Sequence, residues 1–217
     1  MSSLHHPNIV QFVGASNIEG KLALVTELAP LGNLASVLEE SLLSVQLKII
    51  VLLEIARTIQ FLHSNSVIHR DIKPLNVLVY SLEHKAMCHV KLTSKFVSDS
   101  AAMTMTQNIG TTKYMAPETL EKKPRFDKAA DVYSFAILAW EVITNEHAFA
   151  AAEFQWQSEI ENFVLKDGRL PIPADMNDKL ACLLTQCWHQ DATKRPSISE
   201  VVQQLSKFIY GDSNAFV

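Results

Sequence analysis

A mostly helical α+β fold is what these 217 residues predict, on three observations. Two runs rich in branched and aromatic residues, IVQFVGA (9–15) and KLALVTEL (21–28), lie close together with NIEG as a turn between them. From Leu31 onward the texture becomes helical. A second pair of short strands, around NVLV (76–79) and Val90 to Thr93, sits among those helices, joined by the polar stretch SLEHKAMCH.

The helices follow from periodicity and punctuation. Leu47, Ile50, Val51, Ile55, Ile59 and Leu62 recur at helical spacing, which predicts one amphipathic helix over about 44–63. Residues 97–115 are rich in Ser, Thr and Met without periodicity and read as a long loop. Asp131 to Thr144 is apolar nearly all round, the mark of a buried helix. Three further helices are expected at about 153–166, 176–189 and 197–209. PIP at 171–173 separates the first two, and RPS at 195–197 opens the third with Ser197 as N-cap. The tail GDSNAFV reads as a frayed end.

Composition narrows the function classes. Hydrophobic residues make up 48% and charged residues 19% of the chain, the balance of a globular protein with a sizeable core. Net charge is −4 with no basic block, which argues against a nucleic-acid surface. The chain has 6 glycines, where average usage would give roughly 15, so it is not built on Gly-rich loops. Cys88, Cys182 and Cys187 are odd in number and lack metal spacing, so they read as thiols in a reducing compartment. No secretory signal opens the chain, and VYSFAILAW falls far short of the ~20 residues a membrane span needs. A soluble, cytoplasmic protein is expected.

The chemistry lies in HRDIKPLN, His69 to Asn76. In phosphoryl transfer, Asp71 can accept the proton of an attacking hydroxyl, and Lys73 can neutralise charge on the moving phosphoryl group. Asn76, five residues after the acid, can offer its side-chain oxygen to a metal. GTTKYMAPE (110–118), DVYSFAILAWE (131–141) and CWHQDATKRPS (187–197) follow in order.

Together these motifs resemble the C-terminal lobe of a eukaryotic protein kinase, over roughly residues 5–209. Lys73 after Asp71, and GTxxYMAPE, resemble the serine/threonine type; LHHPNIVQFVGA and DVYSFAILAWEV resemble its tyrosine-kinase-like group. The implied architecture is an N-lobe remnant at 1–30 (helix end, two strands and hinge), a C-lobe at 31–210 and a tail at 211–217. The resemblance makes Asp71 the catalytic base, Lys73 the γ-phosphate contact and Asn76 a metal ligand. Thr26 matches the gatekeeper, Glu27, Leu28 and Ala29 the adenine-holding hinge, Leu78 the residue under the ring, and Asn33 a further nucleotide contact. Thr111 would help position a Ser/Thr substrate. Arg70 would receive a phosphate from the activation segment, at Thr104, Thr106 or Thr112. His69 and Phe12 match positions of the apolar column between the lobes, Asp131 the buried acid that anchors the catalytic loop, and Glu118 with Arg195 a structural ion pair.

Two departures qualify the resemblance. The family's Asp-Phe-Gly after VKLT is Ser94, Lys95 and Phe96 here. The Gly-rich loop, the ATP-anchoring lysine and its partner Glu would all precede Met1, so Met1 resembles an internal methionine of a longer ancestor. The resemblance implies ATP and Mg2+, but this chain lacks three of their usual anchors. It implies a protein substrate or a regulatory protein partner. Three readings stay open: a pseudokinase-like binding module, part of a longer active Ser/Thr kinase, and a decayed duplicate. Two strands left alone from a larger sheet would also expose edges and apolar surface.

Overall fold

The computed structural model describes residues 5–18, 21–40, 43–83, 85–93 and 112–211. Ser94, Thr104, Thr106 and Thr111, and the Ser-Lys-Phe stretch as a whole, lie outside the described residues.

The first strands are β1 (Phe12–Ile18) and β2 (Lys21–Thr26), an antiparallel pair with an irregularity between Phe12 and Gly14. β1 begins later than IVQFVGA predicts. Ile9 and Val10 are each 7% exposed and are drawn onto the helical body instead. There Val10 N–H donates to Leu92 O and Leu92 N–H to Asn8 O. Burial against the core outweighs continuation of the hairpin. The hairpin itself leaves apolar surface open: Phe12, Val13, Leu24 and Val25 are all exposed.

Helix α1 (Leu34–Glu40) comes next, and α2 (Val45–Ser64) is the long predicted helix, its Ser44 hydroxyl accepting from Leu47 N. β3 (Val77–Val79) pairs antiparallel with β4 (Val90–Leu92), as the paired apolar runs predict. α3 (Pro117–Leu120) is a single turn with Pro at its start. α4 (Lys128–Thr144) is buried along most of its length, including Val132, Tyr133, Phe135, Ile137 and Leu138. It begins three residues before Asp131 because the Asp127 side chain accepts from Ala129 N and Ala130 N.

α5 (Gln157–Leu165) is shorter than 153–166 predicts. Phe154 turns back on Ala151 O and packs edge-on against Phe149 and Phe163, with ring centroids 5.3 and 5.0 Å away. α6 (Asp178–Cys187) is capped by Asn177, and α7 (Ile198–Tyr210) by Ser197. The Ser197 cap is reciprocal: its hydroxyl accepts from Glu200 N while its own N–H donates to the Glu200 carboxylate. One continuous core joins α2, α4, α6, α7 and the β3–β4 pair.

Candidate functional site

The catalytic-type loop is held from behind by one buried carboxylate. Asp131 is 1% exposed, in the first turn of α4. Its Oδ2 accepts from His69 N at 2.8 Å and its Oδ1 from Arg70 N at 2.9 Å. Arg70 consequently adopts a left-handed backbone with φ 65°, a conformation that costs an ordinary residue about 1 kcal/mol or more and persists only when its surroundings fix it. His63 Nε2 meets the same Oδ2 at 2.8 Å. His69 donates Nε2–H to Thr93 O at 2.6 Å and accepts Asp71 N–H on Nδ1 at 3.3 Å, which sets one tautomer.

The loop presents Asp71, Lys73 and Asn76 together. Lys73 Nζ lies 3.0 Å from Asp71 Oδ1. Asn76 Nδ2 donates to Asp71 Oδ2 at 2.8 Å and to Asp71 O at 2.6 Å. Asn76 ends the short 3-10 turn Pro74–Asn76 that leads into β3. Its carbonyl accepts Thr93 N–H at 2.8 Å and the Thr93 hydroxyl at 3.1 Å. As oxygen donors for a dication, these residues present Asn76 Oδ1 and a carboxylate whose two oxygens already accept from Lys73 and Asn76. Among the described residues, no three His, Cys, Asp or Glu side chains form a metal-binding cluster.

The segment expected to form the hinge, Glu27 to Ala29, is tied to β4 through Glu27. Leu78 is the cross-strand partner of Lys91, and Lys91 Nζ reaches Glu27 at 2.7 Å while lying 4.7 Å over the Tyr80 ring. Burial raises the Glu27 carboxyl, but hydrogen bonds from Lys91 and Gln11 outweigh it and hold it below the usual carboxylate range. Glu27 N–H is spent on Gln11 O, and Leu28 is 87% exposed. Asn33 bridges Leu78, and its Oδ1 accepts from Ser36 N at the start of α1. Thr26 closes β2 opposite Phe12. Of the two column positions, His69 is buried and Phe12 is 53% exposed. Thr112 is 1% exposed, so its hydroxyl is out of reach of a modifying enzyme in this conformation.

Glu118 and Arg195 form a separate, bidentate pair at 2.7 and 2.8 Å. Three residues that organise the site carry signals that composition hides. His63 falls on the apolar face of α2, seven residues after Ala56 and four after Ile59, so its place in that periodicity marks it as buried. Thr93 links His69 to Asn76 but looks like an ordinary strand residue. Glu54 on α2 collects Asn8 Nδ2, Val90 N and both His89 N and Nδ1 at 2.7–3.3 Å, fastening the hairpin entry to β4.

A helical body that carries such a loop on a buried aspartate, with a strand hairpin at its edge, defines the protein-kinase-like fold. The chain belongs to the protein tyrosine and serine/threonine kinase family, whose model matches residues 1–205. It is 36% identical over 219 residues to the dual specificity protein kinase shkC of Dictyostelium discoideum, covering 96% of this chain and 42% of that one. It is 34% identical over 211 residues to the serine/threonine-protein kinase STY17 of Arabidopsis thaliana, covering 96% and 36%. It is 35% identical over 214 residues to the serine/threonine/tyrosine-protein kinase HT1 of the same plant, covering 96% and 53%. The chain therefore spans about half or less of the length of these relatives. Among the described residues no helix is long and apolar enough to cross a membrane.

Proposed function

We propose that this chain works as a kinase-derived binding module of the serine/threonine, tyrosine-kinase-like type, holding a protein partner rather than transferring phosphate. The observation that carries this reading is at the end of β4. Thr93 bonds twice to the Asn76 carbonyl, and the next residue in sequence, where the family resemblance expects an aspartate, is Ser94. A serine hydroxyl is a weak, neutral ligand for a hard dication. Of the two magnesium-holding side chains that the family resemblance expects, Asn76 remains and the aspartate is replaced by Ser94. The exposed hairpin supports a protein partner for the same chain.

Residues 1–30 then act as the N-lobe remnant, 31–210 as the C-lobe and 211–217 as a tail. The free thiols of Cys88, Cys182 and Cys187 support a reducing, cytoplasmic setting.

A second reading is favoured by the preserved geometry of Asp71, Lys73 and Asn76. In a longer chain that supplies the missing nucleotide anchors, Asp71 would accept the proton of a Ser/Thr hydroxyl and Lys73 would offset charge at the phosphate. Thr26, Glu27, Leu28, Ala29, Asn33 and Leu78 would line the nucleotide cleft. Thr111 would position the substrate, and Arg70 would receive a phosphate from Thr104 or Thr106.

Thermal-shift and phosphotransfer assays on the purified chain, and on any longer natural form of it, separate the two. The expected result is no stabilisation by Mg-ATP and no labelling of a protein acceptor. Stabilisation that disappears in Asn76→Ala would overturn the binding-only reading. Labelling abolished by Asp71→Asn would establish the second one.

A further inference from the structure

His89 immediately precedes β4 and is 2% exposed. Each of its ring nitrogens meets an acceptor oxygen. Nδ1 lies 2.7 Å from Glu54 Oε1 on α2, and Nε2 lies 2.9 Å from the Glu83 carbonyl in the connection between β3 and β4. A neutral imidazole has one N–H and one lone pair, so it serves one of these oxygens and points a lone pair at the other. The imidazolium has two N–H groups and serves both. His69 shows the contrast: its Nε2 donates to Thr93 O while its Nδ1 accepts from Asp71 N, a pattern that a neutral ring completes. We infer that His89 is a pH-sensitive latch that clamps the β3–β4 connection to α2 when protonated and releases it at Glu83 when neutral.

The bonds around Glu54 decide where the proton sits. A carboxylic acid facing a neutral ring would hold the same number of protons. But Glu54 Oε2 also accepts from Asn8 Nδ2 at 2.9 Å and from the His89 and Val90 backbone N–H groups at 3.0 Å. Several donors aimed at one carboxylate favour its ionised form, which leaves the proton on the ring. The same charge fixes which bond breaks. Hydrogen bonds to an ionised acceptor are roughly twice as strong as neutral ones. A ring with one remaining proton therefore keeps Nδ1–H on Glu54 and turns a lone pair toward Glu83 O.

The other titratable groups on the surrounding elements do not take over that proton. In the connection, burial and then the Glu54 charge push the Cys88 thiol up, and burial pushes the Tyr80 phenol up to about 12. Both stay neutral where histidine titrates, between about pH 5 and 8. The Lys91 ammonium on β4 is engaged by Glu27 at 2.7 Å. On the segment that enters the hairpin, His6 stacks on Phe61. Arg57 on α2, with His5, Glu83 and Lys85, is exposed to solvent. The closed latch holds a proton that the unfolded histidine gives up as pH rises. Its contribution is therefore present at the acid end of that range and is lost toward the alkaline end.

Nitrogen-15 NMR of the imidazole rings in the full chain, from about pH 5 to about pH 8, tests the inference. At the acid end both ring nitrogens of His89 are expected to carry protons. As pH rises, Nε2 should lose its proton while Nδ1 keeps its own. Hydrogen exchange of the Ala86 amide, which donates to the same Glu83 carbonyl at 2.9 Å, reports the release. After correction for the intrinsic pH dependence of exchange, it should speed up by about threefold or more across the titration. His89→Gln keeps an amide donor but does not titrate, so this pH-linked change should be absent. The inference is overturned if Nδ1 rather than Nε2 loses the proton, or if the ring does not titrate in this range. It is equally overturned if Ala86 exchange responds to pH alike in His89→Gln and the native chain. Should that variant fail to fold, the ring nitrogens of the native chain decide alone. Nucleotide binding enters none of these readouts, so failure here leaves the proposed function untouched.

Discussion

Replacing Arg195 with methionine removes a buried side chain that makes bonds to four other residues. Its guanidinium is fully buried. It donates to both Glu118 oxygens, to Ala129 O at 2.9 Å and to His189 O at 2.8 Å, and it lies 5.1 Å over the Tyr133 ring. Methionine fills much of the volume but leaves the Glu118 carboxylate, 6% exposed, without its counter-ion. Stranding one buried charge costs about 3–5 kcal/mol, a large share of the roughly 5–15 kcal/mol that holds a domain together. For a chain of this length that corresponds to a fall in Tm of roughly 6–20 °C. Urea denaturation followed by circular dichroism measures the loss directly. Adding Glu118→Leu to Arg195→Met removes the stranded charge, and the double variant should be more stable than Arg195→Met alone. A single-variant loss below about 1 kcal/mol, or a double variant whose loss equals the sum of the two singles, would refute the reasoning.

Two further perturbations probe the loop support and the hairpin tether. Asp131→Asn keeps one acceptor oxygen but turns an amide NH2 toward a backbone N–H of His69 or Arg70; a urea melt should show a loss of about 1.5–3 kcal/mol, and an unchanged midpoint would contradict the assigned role. The Glu27 carboxyl titrates below its ordinary 4.5 in the fold, so between the two values the unfolded chain binds more protons. Its contribution is therefore complete above pH 4.5 and is lost as pH falls through the lower folded value. Because the Lys91–Glu27 pair is about one-fifth exposed, the effect is small, about 0.2–1 kcal/mol. It should shrink on the acid limb of the stability profile in Lys91→Met, where the Gln11 N–H bond to the carboxylate remains.

Much of the fold is legible in the sequence because periodicity and caps agree. The long helix of Leu47 to Leu62, the Ser197 cap and the pairing of NVLV with Val90 to Leu92 each rest on two independent local signals. Boundaries slip where tertiary contacts compete with local preference. Ile9 and Val10 have strand residues' shapes, yet the core recruits them to β4. Phe154 has a helix's company, yet its ring is worth more against Phe149 and Phe163. In the site, HRDIKPLN announces Asp71, Lys73 and Asn76 through fixed spacing along one loop. The supports provided by His63, Glu54 and Thr93 are not legible in this way, because each acts across tens of residues on a partner that only folding brings near.

The three residues of β4 work as a common beam. One edge carries the chain that enters the hairpin, through Asn8 and Val10, and the other pairs with β3 beside Asn76. Val90 and Leu92 point into the interior while Lys91 points to Glu27. A slip of one residue would exchange these directions, push a lysine inward and expel two apolar side chains. Both loads would then fall together, so evolution cannot loosen the ribbon without also shaking the aspartate loop.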